Sequence, residues 1–233
     1  MTDRADTFES PVAYGQALPQ AERQRVLRNT YWLLALSLIP TVLGAWLGVA
    51  TGLTRSLTGG LGLVVFLVGA FGFMFAIEKT KNSAAGVPVL LGFTFFMGLM
   101  LSRLIAMVLG FKNGSELVMT AFGGTAGVFF VMASLATLIK RDLSTMGKWL
   151  FVGVVMLMVA GLANLFIQSS ALMITISVMA IGIFSAFILH DLKRVQDGYE
   201  TNYVMATLGV YLSLVNVFQN LLVLLGVFGG RDE

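Results

Sequence analysis

Cysteine is missing from the 233 residues, and histidine occurs once, as His190. The first absence excludes disulfides, zinc–thiolate centres and a cysteine nucleophile. The second excludes any site that needs two imidazoles from one chain. Charge is scarce as well. Asp, Glu, Lys and Arg make up 12% of the chain, against roughly a quarter in an ordinary soluble domain. Hydrophobic residues make up 57%. A soluble globule of this size could not cover so much apolar surface with polar groups. A soluble enzyme and a disordered chain are therefore excluded, and a polytopic helical membrane protein is indicated. The net charge of +3 forms no basic stripe, so nucleic acid is not an expected partner; membrane lipid is.

A bilayer core about 30 Å thick requires about 20 apolar residues per helix. The stretches free of acid and base that meet this length begin at Asn29, Ser56, Asn82, Leu117, Trp149 and Thr201. The one from Trp149 to His190 is about twice too long for a single span, at about 1.5 Å per residue. Its polar break at Gln168-Ser169-Ser170 divides it in two. The reading is all-α, a seven-transmembrane-helix bundle with spans near 31–50, 57–77, 87–109, 117–139, 147–167, 171–190 and 204–228. Residues 1–28 form a polar N-terminal tail with Pro11 and Pro19 and with a short helix possible at Gln20–Arg28. No signal-peptide pattern follows it. Residues 29–230 form the membrane domain, and 231–233 a short external tail.

Basic residues assign an orientation. Arg4, Arg23, Arg25, Arg28, Lys79, Lys81, Lys140, Arg141, Lys148, Lys193 and Arg194 fall on one side; Arg55, Lys112 and Arg231 fall on the other. The bias toward retaining Lys and Arg inside puts the N-terminus in the cytoplasm and the C-terminus outside. The Gly60-Leu61-Gly62 pair lies in apolar sequence and reads as a close helix contact, not a phosphate cradle.

Polar groups within spans are costly, so each is a candidate. Asp191 and His190 close the sixth span beside Lys193 and Arg194. Two readings of Asp191 stand: a desolvated proton- or cation-responsive carboxylate, or a solvated helix end paired with a base. His190 is a pH sensor or an interfacial residue without a role. Ser213, Asn216 and Asn220 recur at i, i+3 and i+7 in the seventh span, with Gly209 on the same face and Gln219 beside it. That stripe should face protein or water, which makes the last helix central. It lines a pathway or simply holds the bundle together. Arg103, in the third span, snorkels outward or serves as a latch for a carboxylate. Glu78 is the best second carboxylate, or else a solvated partner of Lys79 or Lys81. Asn164 reads as an interhelical hydrogen bond.

Three further segments carry a resemblance. They are Phe187-Ile188-Leu189-His190-Asp191, Tyr211-Leu212-Ser213-Leu214-Val215-Asn216-Val217-Phe218, and Glu200-Thr201-Asn202-Tyr203. Together with the opening Val26-Leu27-Arg28-Asn29-Thr30-Tyr31, the sequence resembles the transmembrane Bax inhibitor motif family, in its bacterial YccA-type branch. The resemblance covers nearly the whole chain and implies a seven-helix bundle around the last helix, in the bacterial inner membrane. It implies two activities. Some members are pH-sensitive calcium leak channels in which two Asp residues on the last two helices share a proton. YccA-type members modulate the membrane AAA protease FtsH, as slow substrates engaged through the N-terminal tail. Asp191 matches the first Asp of the channel pair, but Ser213 stands at the second. A carboxylate and a hydroxyl cannot share a proton as two acids do, and Ser213 is a weak neutral ligand for Ca²⁺. Asp191 alone is at most a weak Ca²⁺ ligand, with Glu78 or Asn216 left to compensate. No cofactor and no resident metal are implied. An intramembrane hydrolase is disfavoured, since no second intramembrane Asp pairs with Asp191.

Overall fold

The computed structural model describes residues 20–53 and 59–229. Residues 1–19, 54–58 and 230–233 lie outside the described residues, so the tail before Gln20 and three of the charges used for orientation, Arg4, Arg55 and Arg231, are not placed. The described chain forms seven helices: α1 (Gln20–Thr51), α2 (Gly59–Thr80), α3 (Gly86–Leu109), α4 (Gly114–Leu138), α5 (Met146–Ile167), α6 (Ser170–Asp197) and α7 (Tyr203–Gly229). Each is long and apolar enough to cross a membrane. The chain is a polytopic all-α membrane protein. Helices are the physical solution here because every backbone N–H and C=O must be satisfied within its own segment when lipid offers no partner.

The helix ends follow local chemistry. α1 runs unbroken from Gln20, so the helical stretch at Gln20–Arg28 is the first part of the span's own helix and not a separate element. At about 1.5 Å per residue α1 is about 48 Å long, which exceeds the bilayer core. The break between α5 and α6 falls at Gln168, which adopts left-handed backbone (φ 54°). Ser169 caps α6 by accepting the Leu172 N–H at 3.2 Å. Asn164 is used in this turn rather than between helices: its Oδ1 accepts the Ser169 N–H at 3.0 Å. A side chain three residues from a helix end reaches the orphaned amide of the turn more readily than a neighbouring helix. α6 ends at Gly198, whose φ of 82° lets its N–H reach back to the Arg194 and Val195 carbonyls.

α7 is the centre of the bundle and packs against α1, α2, α3, α4 and α6. The tightest seam is between α1 and α3. A side chain on Gly44 would overlap the Phe95 carbonyl oxygen, and one on Gly98 the Thr41 carbonyl oxygen. Gly48 is closed by the Ser102 hydroxyl in the same way. Gly44/Gly48 and Gly98/Ser102 are both small residues four apart, the spacing that lets two membrane helices meet backbone to backbone. Gly60, expected to make such a contact, faces open space. It lies in the first turn of α2, which meets α3 and α7 elsewhere along its length.

Candidate functional site

The end of α6 holds two of the candidate residues, His190 and Asp191. His190 is buried, and its Nδ1 lies 3.2 Å from Asp191 Oδ1. The other face of the imidazole presses on the start of α5: a Cβ on Gly147 would stand 2.7 Å from His190 Nε2. Asp191 is turned the opposite way, toward α7. A Cβ on Gly209 would stand 2.8 Å from Asp191 Oδ2, so the carboxylate occupies the space that the missing side chain leaves. One turn further along α7 comes Ser213, 4% exposed. The fold therefore sets His190 against α5 and Asp191 against Gly209 of α7, with Ser213 one turn further along α7.

The remaining candidates are elsewhere. Asn216 is partly buried and donates through Nδ2 to the Leu212 carbonyl at 2.8 Å; Asn220 does the same to the Asn216 carbonyl at 2.8 Å. Both amides satisfy one donor on their own helix, and Gln219 is exposed. The polar stripe is buried at its Ser213 end and opens toward its Asn220 end. Glu78 is exposed at the end of α2 and pairs with Lys81. Arg103 is exposed on α3. Among the described residues, no three His, Asp or Glu side chains converge on a metal position.

Further groups complete the site's frame, Tyr211 and Asn202 among them, to which the sequence reading gave no role. Tyr211 is wholly buried at the core of α7. Its hydroxyl is 2.8 Å from Thr41 Oγ1 on α1 and donates to the Thr94 carbonyl on α3 at 3.3 Å. A phenol inside a membrane helix must find partners for its O–H, and that requirement was the available signal. Lys193 is nearly buried and donates to Asp197 Oδ1 at 2.7 Å. Arg194 lies 3.8 Å from Glu200. Asn202 fastens the α6–α7 turn in two directions. Its Oδ1 accepts the Val204 and Met205 amides at 2.9 and 3.1 Å, capping α7. Its Nδ2 donates to the Lys81 carbonyl at 3.0 Å and to Asn82 Oδ1 at 2.8 Å in the α2–α3 turn. An N-cap signal was present at Asn202, but its partner lies some 120 positions away along the chain, so sequence periodicity cannot point to it.

Comparison with known proteins agrees with this architecture. The family model for the inhibitor of apoptosis-promoting Bax1 matches residues 23–230. The chain is 38% identical over 208 residues to the modulator of FtsH protease YccA of Escherichia coli K12, covering 89% of this chain and 92% of that protein. It has the same identity and coverage with the inner membrane protein YccA of Escherichia coli O6:H1. An uncharacterized membrane protein of Vibrio cholerae is 33% identical over 212 residues, covering 91% of this chain and 93% of that protein. With a family match that takes in all seven helices and relatives that align nearly end to end, the chain belongs to the Bax inhibitor (Bax1-I) family.

Proposed function

We propose that this protein modulates a membrane-embedded AAA protease of the FtsH type, as a slow substrate and inhibitor. In this reading it is a multi-pass inner-membrane protein with its N-terminus in the cytoplasm. The observation that carries the proposal is the near end-to-end similarity to the modulator of FtsH protease YccA. The architecture supplies a physical rationale. A polar segment precedes α1 in the sequence, and α1 is locked to α3 along the Gly44/Gly98 seam. A protease pulling from the N-terminus would have to part α1 from α7 at Thr30 and then open that seam. The role is one of binding, not catalysis: with no cysteine and one histidine, the chain is poorly supplied with hydrolytic chemistry. Removal of about the first 20 residues is expected to stop degradation by the protease while the bundle still inserts. Unchanged degradation together with unchanged turnover of other substrates contradicts the proposal. A pull-down from solubilised membranes tests the partner directly.

One observation favours a second activity, a pH-sensitive cation or calcium leak. Asp191 is a carboxylate set between two membrane helices, with His190 at one oxygen and α7 at the other. In that reading Asp191 is the sensor, and the Ser213/Asn216 face lines the route. Ion flux into liposomes, compared at about pH 6 and about pH 8, is expected for the parent and lost in Asp191→Asn. Absence of flux at both pH values removes this reading.

A further inference from the structure

The first turns of α1 carry a second feature that the family resemblance does not address. Gln24, Leu27, Arg28, Tyr31 and Trp32 fall at i, i+3, i+4, i+7 and i+8 and so share one face of the helix. Together they line a shallow, open depression on the surface of the helix. The chemistry is graded along it. Gln24 and Arg28 offer donors at the end where α1 begins, and the aromatic rings lie deeper along the helix. Tyr31 is held edge-on to Phe129 of α4, with ring centroids 6.1 Å apart, and Trp32 is 73% exposed.

Charge favours an anion. Arg25 precedes Arg28 by three positions, so the two are neighbours on the helix surface. Lys140 and Arg141 are exposed just beyond α4. They share this end of the bundle, because the α4–α5 turn leads to Gly147 under His190, and the start of α7 meets α1 where Thr207 reaches the Thr30 carbonyl. Two acids are near in sequence. Glu22 is off this face of α1, six residues before Arg28, and Asp142 is engaged by the Ser144 N–H and hydroxyl.

We propose that this face of α1 is a binding site for an anionic phospholipid, with the headgroup phosphate at Arg28 and Gln24 and the upper acyl chain along Leu27, Tyr31 and Trp32. Basic groups at a helix end attract anionic headgroups, and Tyr and Trp settle at the same depth. The site depends only on the protein's residence in a bilayer, so it stands apart from the protease and leak readings.

Trp32 is the reporter. Trp46 and Trp149 are both largely exposed and can be replaced by Phe, leaving Trp32 alone. This single-tryptophan protein is placed in vesicles containing brominated phosphatidylglycerol or brominated phosphatidylcholine at equal mole fraction. The anionic lipid is expected to quench Trp32 with an apparent affinity about fivefold higher, the equivalent of about 1 kcal/mol for one arginine. Arg28→Gln is expected to bring the two lipids close to parity and Arg28→Lys to keep most of the preference. Arg28 is exposed, so neither variant burdens the fold. Equal quenching by both lipids in the parent overturns the proposal. So does a preference that survives Arg28→Gln, or one erased by soluble glycerol phosphate, which would mark a site for free phosphate instead of lipid.

Discussion

α5 and α7 are both apolar helices of membrane-spanning length, and the more apolar of the two is the less buried. α5 has no buried residue among its 22, and Phe166 and Trp149 stand largely exposed on it. α7 buries Thr207, Tyr211 and Ser213 together with its aliphatic side chains. In water the order would be reversed. In a bilayer the surroundings are as apolar as leucine, so aliphatic side chains gain little from leaving lipid, and hydroxyls and glycines gain most from meeting protein. The functional candidates follow the same rule. Asp191 is directed to α7, at a glycine, and no comparable polar group is buried on α5.

This contrast can be broken by substitution. The largest effect is expected where backbones meet. Gly98→Leu at the α1–α3 seam forces a side chain into the Thr41 carbonyl and should cost about 3 kcal/mol or more, enough to prevent a stable bundle. Gly161→Leu on α5 meets open space and should leave the unfolding midpoint in detergent nearly unchanged. Equal losses at the two positions would erase the distinction between the helices. Next is Asn202→Ala, which removes the α7 cap and the tie to the α2–α3 turn. It should lower stability by about 1–2 kcal/mol and speed amide exchange at Val204 and Met205. Tyr211→Phe removes only the hydroxyl that joins α1 and α3 to α7. Interhelical hydrogen bonds in membranes average about 0.6 kcal/mol and reach about 1.7, so a loss near 1 kcal/mol is expected in a reversible unfolding titration. The smallest effect is expected for Phe166→Leu on the lipid face of α5, within about 0.5 kcal/mol.

Much of the fold was legible from what is costly in a membrane. Uncharged stretches located the seven helices, and the Gln168–Ser170 break separated α5 from α6 because a single span cannot be so long. The central position of α7 could be read from Ser213 and its neighbours, since a polar stripe must avoid lipid. The identity of the contacts was not legible. Gly44/Gly48 and Gly98/Ser102 carry a small-residue spacing in sequence, but that Gly44 and Gly98 meet a helix backbone while Gly60 does not is decided only by the opposing helix. At the candidate site, Asp191 and His190 stood out as polar groups at a helix end. Gly209 could be placed on the stripe but not beneath a carboxylate, because that depends on how α6 and α7 are rotated. Asn216 and Asn220 illustrate the opposite limit. An amide in a membrane helix signals a need for a partner, and here the Leu212 and Asn216 carbonyls one turn back supply one on the same helix.

The most direct test of the inverted packing needs no substitution. The wild-type protein in bilayers would be photolabelled with a carbene-generating reagent that partitions among acyl chains, and the modified residues mapped by peptide mass spectrometry. Heavy labelling of α5 at Met158, Leu162 and Phe166, with the Val210–Val217 stretch of α7 near background, is the predicted pattern. Comparable labelling of the two helices would contradict a central α7 and, with it, the placement of Asp191 and Ser213 in the interior of the bundle.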